Sequence, residues 1–592
     1  MTDYSAPLAD MRFVLEHLVD LPALSALAGF EHAEPEMVYG VLEESGRFFS
    51  QEFSPLNRIG DVQHSRRNDD GSVTTPEGFA RAYRRYVDAG WAGVPFPAEY
   101  GGGGFPWLVA IAMQEMLTAA NMGFSLCPLL TQGAIDMLLH YGSEEQREVF
   151  LPKMVTGEWT GTMNLTEPQA GSDVGALTTR AVPADDGTWR ITGQKIFITY
   201  GEHDMADNIV HLVLARVPDA PPGTKGISCF IVPKVLVDDD GSLGERNSLE
   251  CVSIEQKMGI NASPTCVMAY DGAVGYLIGE ANQGMRYMFK MMNNARVSVG
   301  VSGLSLGERA YQAAVEYAHE RRQGRAPGAP AGESSPIVDH PDVRRMLLTM
   351  RAQIEALRCL AYLNAESIDL AEHHPDEAVR TARSEMADLL TPMTKGWGTD
   401  LGVELTSLAL QVHGGMGYIE ETGVAQHYRD IRIAPVYEGT NGIQAMDLVG
   451  RKLPMRAGGV MADHLAAIEA TAGELSAAEG ALSSIGKQLA DAHATLKATT
   501  DWLLANGLAD PTNALAGATP YLRMCGIVTG GWLLARSAQA ARRLLDAGAG
   551  DAAFLEQKLV TAKFYAEQIL PQAAGLASSV TAGPADLQAA AF

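Results

Sequence analysis

The sequence predicts an α+β protein in which helical segments bracket an all-β domain and a further helical segment closes the chain. Apolar residues recur at helical spacing over the first ~160 positions, alternate from about 160 to 280, and return to helical spacing from Gln283 onward. At 592 residues, with 46% apolar and 20% charged positions, the composition is that of a globular protein with room for roughly three to four ordinary domains.

In order, Glu36 to Phe53, Glu77 to Gly90, Trp107 to Asn121 and Thr131 to Tyr141 read as helices, separated by loops at Gly90 to Pro95 and Tyr100 to Pro106. Ser143 to Gln146 reads as a capping box that opens a helix toward Lys153. After Gly157 come short β-branched and aromatic runs: Trp189 to Thr192, Lys195 to Thr199, Ile209 to Leu214, Gly226 to Val232 and Cys266 to Tyr270. Turns are expected at Asp185-Asp186-Gly187 and Asp239-Asp240-Gly241. With no helices between its strands, this region does not read as a parallel nucleotide-binding sheet, and no G-x-G-x-x-G or P-loop appears in a strand-to-helix setting. Helical spacing then runs from Gln283 to about Leu453, broken by a loop from Gly324 to Gly332, and an Ala-rich helical segment follows Pro454. The expected domains are 1–159, 160–282, 283–454 and 455–592.

Composition excludes several classes. A net charge of -26 disfavours wholesale binding to nucleic acid or to an anionic membrane, so a polyanionic ligand would need a local cluster of Arg, Lys and N–H groups. The last segment carries 8 Lys+Arg against 12 Asp+Glu from Ala457 onward, a net of -4, which does not fit a nucleic-acid module. Six scattered cysteines without CxxC or a Cys/His cluster read as reduced core thiols, and no metal site is expected. Met1 to Asp20 lacks a basic n-region and a long apolar run, so no signal peptide or membrane span is expected and a cytoplasmic location is the default.

Two stretches suggest chemistry. In Tyr437-Glu438-Gly439-Thr440 a carboxylate follows an apolar, proline-containing run, and Gly439 permits close approach of a ligand or second backbone. Burial there would raise the carboxyl pKa toward working pH, as a base that takes a proton from carbon requires. The stretch fits equally a surface-loop glutamate before a turn. In Met163 to Asp173, Thr166 and Ser172 flank Glu-Pro and Ala-Gly turns and offer donors to a carbonyl-rich ligand edge or a phosphate. An ordinary hydrophilic loop has the same composition.

Taken together, Thr166 to Asp173, Lys195 to Thr199, Gln411 to Gly417 and Tyr437 to Gln444 resemble, in order, the signature segments of the acyl-CoA dehydrogenases. The resemblance spans about residues 36 to 453. It implies an N-terminal helical domain, a central β barrel and a C-terminal four-helix bundle. Ser172 to Gly175, Arg321 to Arg325 and the segment after Met455 resemble more closely the long subgroup with an additional C-terminal helical domain, which includes 3-methylmercaptopropionyl-CoA and broad-range fatty acyl-CoA dehydrogenases.

The same resemblance implies roles for individual residues. Glu438 would take the α-proton of an acyl-CoA thioester while the β-hydrogen leaves as hydride to N5 of FAD, giving the trans-2-enoyl-CoA. The Glu438 N–H and a flavin ribityl hydroxyl would polarise the thioester carbonyl. Met163, Leu165, Thr166, Gly171 and Ser172 would line the flavin, with Phe197 and Thr199 beside it; Phe197 stands where many members have Trp. Arg321 and Gln323 would reach the FAD pyrophosphate of a neighbouring subunit near the turn containing Gln411, Gly414 and Gly415. Gly324 replaces the usual Phe, which removes part of the adenine-side contact. Thr440 and Gln444 would face FAD, while Ser172, Arg296, Tyr437 and Gly439 would contribute to the substrate side. His413 reads as a packed turn histidine, and Glu167 and Asp173 as loop-shaping acceptors. Electrons would pass to an electron-transfer flavoprotein from a homodimer or homotetramer. An acyl-CoA oxidase using O2 and a DNA-associated flavoprotein of the same superfamily are the alternatives.

Overall fold

The computed structural model describes residues 4–238, 241–507 and 509–592. Asp239 and Asp240 of one expected turn lie outside them, as do Met1, Thr2 and Asp3. The chain divides into two compact units. A β unit comprises Glu44–Phe105 and Met116–Ala295, and a helical unit comprises Met1–Glu43, Pro106–Glu115 and Arg296–Phe592.

In the β unit, seven strands form one sheet: β1 (Trp159–Asn164), β2 (Arg180–Pro183), β3 (Trp189–Thr199), β4 (Asn208–Ala215), β5 (Ser228–Pro233), β6 (Leu249–Ile254) and β7 (Thr265–Leu277). The order is β1-β4-β5-β7-β3-β2, with β6 also on β7, and all pairs are antiparallel except β1 with β4. The expected barrel is therefore corrected to an open sheet. The cause lies at its edges: after Asn164 the chain turns sharply, Glu167 and Ala170 exchanging backbone hydrogen bonds, so β1 cannot continue into a ladder. A single bridge, Arg180 with Arg216, links β2 to the end of β4. The core between the strands packs Ile191, Ile198, Val213, Phe230, Met268 and Tyr270, all nearly or fully buried; each such large side chain contributes about 1.5–3 kcal/mol.

Local expectations fail where punctuation residues are overridden. Trp189 to Thr199 is one strand rather than two: Gly193 stays in register opposite Tyr270, and the ladder with β7 absorbs a register shift between Lys195 and Ile198. Strand β7 runs on past Asp271-Gly272 for the same reason, through an irregularity between Asp271 and Ala273. The helix expected from Thr131 begins at Met122, since the Asn121 side chain caps it by accepting from the Phe124 N–H at 3.0 Å and Pro128 is tolerated within it. By length and hydropathy this helix, Met122–Tyr141, could cross a membrane, but 89% of its apolar window is buried. The Ser143–Gln146 capping box forms as read, with both reciprocal bonds present.

Four long helices build the centre of the helical unit: Gly284–Glu320, which contributes from Arg296, Pro341–His373, Glu377–Pro392 and Gly398–His413. Gly303 lets two of them touch, for a Cβ there would lie 2.0 Å from the Gly398 carbonyl oxygen. A single π turn, Met393–Trp397, joins the last two. The C-terminal segment folds into helices Gly459–Ser476, Ala481–Gly507, Pro511–Asp546, Ala552–Gln568, Gln572–Thr581 and Ala585–Ala589 within the same compact unit. It is pinned by polar contacts: Lys558 pairs with Glu355 at 3.0 Å and with Asp10, and the Arg536 guanidinium donates to the Leu18 carbonyl at 2.9 Å.

Candidate active site

Glu438 sits in the helical unit on the loop between Ile431 and helix Asn441–Asp447. Its backbone is left-handed, with φ 54°, and Gly439 follows at φ 78°. For a residue with a Cβ this conformation costs about 1–2 kcal/mol and needs surrounding support. Neighbouring hydrogen bonds provide it. The Thr440 hydroxyl caps the following helix by accepting from the Ile443 N–H at 3.2 Å, and the Asn441 N–H donates to the Pro435 carbonyl at 2.9 Å. The Gln444 side-chain amide lies 3.4 Å from both the Glu438 and Gly439 carbonyls.

Burial pushes the Glu438 carboxyl up to about 7, against the opposing pull of the Arg296 and Lys395 cations. Arg296 is itself buried and lies 3.8 Å from Asp447, whose other oxygen takes Arg451. Two buried polar atoms near this loop, the Tyr437 hydroxyl and Gln444 Oε1, have no hydrogen-bond partner among the described residues. A carboxyl poised near neutral pH beside unfilled hydrogen-bonding capacity marks this loop as a candidate site for proton transfer.

The second predicted cluster lies in the β unit. Met163 ends β1 with Asn164, Leu165 is buried, Thr166 is half-buried, and Gly171 and Ser172 are exposed on the following loop. Glu167 is the hub of that loop: its carboxylate accepts from the N–H and hydroxyl groups of Thr178 and Thr179, at 2.6–3.0 Å. Buried Lys195 on β3 donates to the same carboxylate at 2.8 Å and to the Leu165 carbonyl at 2.9 Å. Despite burial, the Lys195 cation and these donors hold the Glu167 carboxyl down at about 2. Two residues along β3, Phe197 takes φ 60° and is 57% exposed, with Thr199 half-buried beyond it. Lys195→Met removes a charged hydrogen-bond donor from a loop that otherwise keeps its threonine contacts, so a loss of about 2–3 kcal/mol is expected. A lowered urea midpoint together with a reduced flavin-to-protein ratio in the purified variant checks this; a native midpoint contradicts it.

The remaining predicted residues occupy other parts of the helical unit. Arg321 and Gln323 are exposed, 3.4 Å apart, where helix Gly284–Glu320 gives way to a loop held by Gln323 N–H to the Ser335 carbonyl at 3.0 Å. Gln411, Gly414 and Gly415 are exposed at the end of helix Gly398–His413. His413 is buried, stacks on Tyr317 with ring centroids 4.4 Å apart, and sets Nδ1 2.8 Å from the Ala409 carbonyl oxygen.

Sequence reasoning missed Lys395, Asn441 and Asp447. A signal existed for Lys395: its helical neighbours at three and four residues are Thr391, Pro392, Gly398 and Thr399, small side chains that let another backbone approach. Asn441 lay within the Tyr437 to Gln444 segment without a role assigned to it, and Asp447 gave no signal.

Four sequence families match consecutive parts of the chain: "Acyl-CoA dehydrogenase, N-terminal domain" over residues 51–158, "Acyl-CoA dehydrogenase, middle domain" over 162–273, "Acyl-CoA dehydrogenase, C-terminal domain" over 282–453, and "Acetyl-CoA dehydrogenase C-terminal like" over 464–591. The 3-methylmercaptopropionyl-CoA dehydrogenase of Ruegeria pomeroyi is 51% identical over 98% of each chain. The chain belongs to the acyl-CoA dehydrogenase family. It is an FAD-dependent oxidoreductase that dehydrogenates acyl-CoA thioesters. The broad-specificity linear acyl-CoA dehydrogenase FadE5 of Mycobacterium tuberculosis is 37% identical over 84% of each chain. In fold, this acyl-CoA dehydrogenase is similar to one from Bacillus anthracis complexed with FAD, with a TM-score of 0.74 at 21% identity, over 92% of this chain and 88% of that one.

Proposed function

We propose that this acyl-CoA dehydrogenase uses Glu438 as the base that removes the α-proton of a short acyl-CoA, and that 3-methylmercaptopropionyl-CoA is its preferred substrate. The observation that supports the base is the Glu438 carboxyl itself, brought up to about 7 by burial and held in a left-handed turn. At pH near 7 a substantial fraction is ionised and can accept a proton, while remaining basic enough to take one from carbon. The Glu438 N–H, fixed by the same turn, polarises the thioester carbonyl and acidifies the α C–H. Arg296 and Tyr437 complete the polar surroundings of the substrate, with Ser172 and Gly439 at its edges.

The residues present fit FAD. Gln444 is fully buried with an unpartnered Oε1, and Phe197 presents an aromatic ring to solvent from a strained backbone. In this reading Met163, Leu165, Thr166, Gly171, Ser172, Phe197, Thr199, Thr440 and Gln444 are flavin-binding residues. Arg321, Gln323, Gln411, Gly414 and Gly415 serve the cofactor of a neighbouring subunit in a homodimer or homotetramer. Bound FAD supplies the acceptor for the β-hydrogen. An electron-transfer flavoprotein then receives the electrons, the enzyme works in the cytoplasm, and the chain is organised as 1–159, 160–282, 283–454 and 455–592.

Substrate preference rests on the relative that is 51% identical over 98% of each chain. Its thioether substrate has the length of a pentanoyl chain, with sulfur in place of one methylene, and a single methylene is worth about 1–3 kcal/mol of discrimination. Anaerobic flavin bleaching by 3-methylmercaptopropionyl-, pentanoyl- and octanoyl-CoA tests the choice. The sulfur-containing substrate is expected to reduce the flavin at least about 10-fold faster than octanoyl-CoA; the reverse order overturns the substrate assignment and leaves the reaction class standing.

A further inference from the structure

Lys395 is fully buried, yet nothing in the proposed reaction uses it. A buried ammonium is costly, and an apolar side chain of similar volume serves packing alone as well or better. Its two hydrogen-bond acceptors are both neutral, one on the Glu438 loop and one at the start of the helix after it: the Gly439 carbonyl at 2.7 Å and Asn441 Oδ1 at 2.9 Å. The backbone that carries it is the π turn Met393–Trp397, a local widening that recurs at functional positions in helices. Asn441 is fixed in turn, its side-chain amide donating to the Gly396 carbonyl at 2.9 Å and to Asp400 at 2.7 Å. One buried cation thus ties the residue after the base and the first residue of the next helix to one π turn.

We propose that Lys395 is a positioning residue for the dehydrogenation: its ammonium secures the left-handed Glu438–Gly439 turn through Gly439 and Asn441 and, as a nearby cation, favours the ionised form of Glu438. The proposal rests on Glu438 being the base. The charged groups around the pair are Arg296 from helix Gly284–Glu320 and Asp400 from helix Gly398–His413, with Asp447 and Arg451 beside Arg296. Burial lowers the Lys395 ammonium to about 7, with the Glu438 and Asp400 carboxylates opposing that shift. Losing the cation therefore disfavours the Glu438 carboxylate and moves the low-pH limb of activity upward.

The test is the pH profile of kcat/KM in the holoenzyme for Lys395→Met and Lys395→Arg. The methionine variant is expected to shift the low-pH limb up by about one unit and to lose about 10-fold or more in kcat/KM at pH 7. Arginine, which keeps the charge, is expected to hold the limb at the wild-type position. A methionine variant with an unmoved limb overturns the proposal, as does an arginine variant shifted as far as the methionine one. Should Lys395→Met fail to accumulate as holoenzyme, Asn441→Ala removes one acceptor of the ammonium and is expected to lower kcat by a smaller factor; unchanged kcat there overturns the proposal. Glu438→Gln in the same assay separates the two claims. If it is active, the base reading fails; if it is inactive while Lys395→Met keeps a wild-type profile, only the positioning role fails.

Discussion

Glu438→Gln leaves a folded, yellow protein that binds acyl-CoA and turns over roughly 10²–10⁴-fold more slowly, the range that general-base catalysis contributes. The substitution is nearly isosteric, so the left-handed backbone and the contacts of Gln444 and Lys395 with the neighbouring carbonyls persist. What disappears is the carboxylate oxygen proposed to accept the α-proton. Removing the carboxylate also relieves its desolvation, so the variant is expected to be at least as stable as the parent while being nearly inactive. Steady-state turnover, flavin content and the urea midpoint measured on one preparation check all three parts. Turnover within about 10-fold of the parent would remove Glu438 from the role of base.

Arg358→Leu has the largest expected effect on stability. Arg358 is buried at the centre of the helical unit and donates to Glu115 Oε1 from Nε at 2.9 Å and from Nη2 at 2.8 Å. Nη2 also reaches Glu308 Oε2 at 2.8 Å, and the Tyr362 hydroxyl donates to Glu115 Oε2 at 2.8 Å. Burial pushes the Glu115 carboxyl up, and Arg358 is the principal group opposing that shift. Without the guanidinium two buried carboxylates lose their shared cation, which costs about 3–5 kcal/mol. A matching fall in the urea midpoint is expected. Replacing Arg358, Glu115 and Glu308 together by apolar residues of similar volume is expected to recover most of it, because the loss comes from uncompensated charge rather than from packing.

The two kinds of information in the chain differed in how far they reached. Periodicity located helices that carry one apolar stripe, as in Pro35–Glu52, while Trp107–Ala120 was marked by a largely apolar run that is buried on all sides. It misplaced the start of helix Met122–Tyr141, where a capping asparagine outweighed Gly123 and Pro128. Sheet closure was not readable, because it depends on how the chain leaves β1 at Asn164 and not on the strands themselves. At the site, the order of motifs marked the Glu438 loop and the Thr166–Asp173 loop. The residues that support them escaped notice: Lys195, read only as part of a strand, anchors Glu167, and Lys395, far away in sequence, reaches Gly439 through a π turn. Such contacts arise from tertiary packing, which leaves only indirect traces in local sequence.

The low-pH limb of the wild-type enzyme reports the ionisation of Glu438 itself. With the second-order rate constant for anaerobic flavin reduction measured from about pH 5.5 to 8.5, the free-enzyme ionisation of the base is read without interference from later steps. Because burial raises the Glu438 carboxyl to about 7, the rate is expected to climb through neutral pH and to fall about 10-fold for each unit below the limb. A rate that stays level down to about pH 5.5 would mean that the base is a carboxylate of ordinary acidity or a different group altogether, and would contradict the account of Glu438.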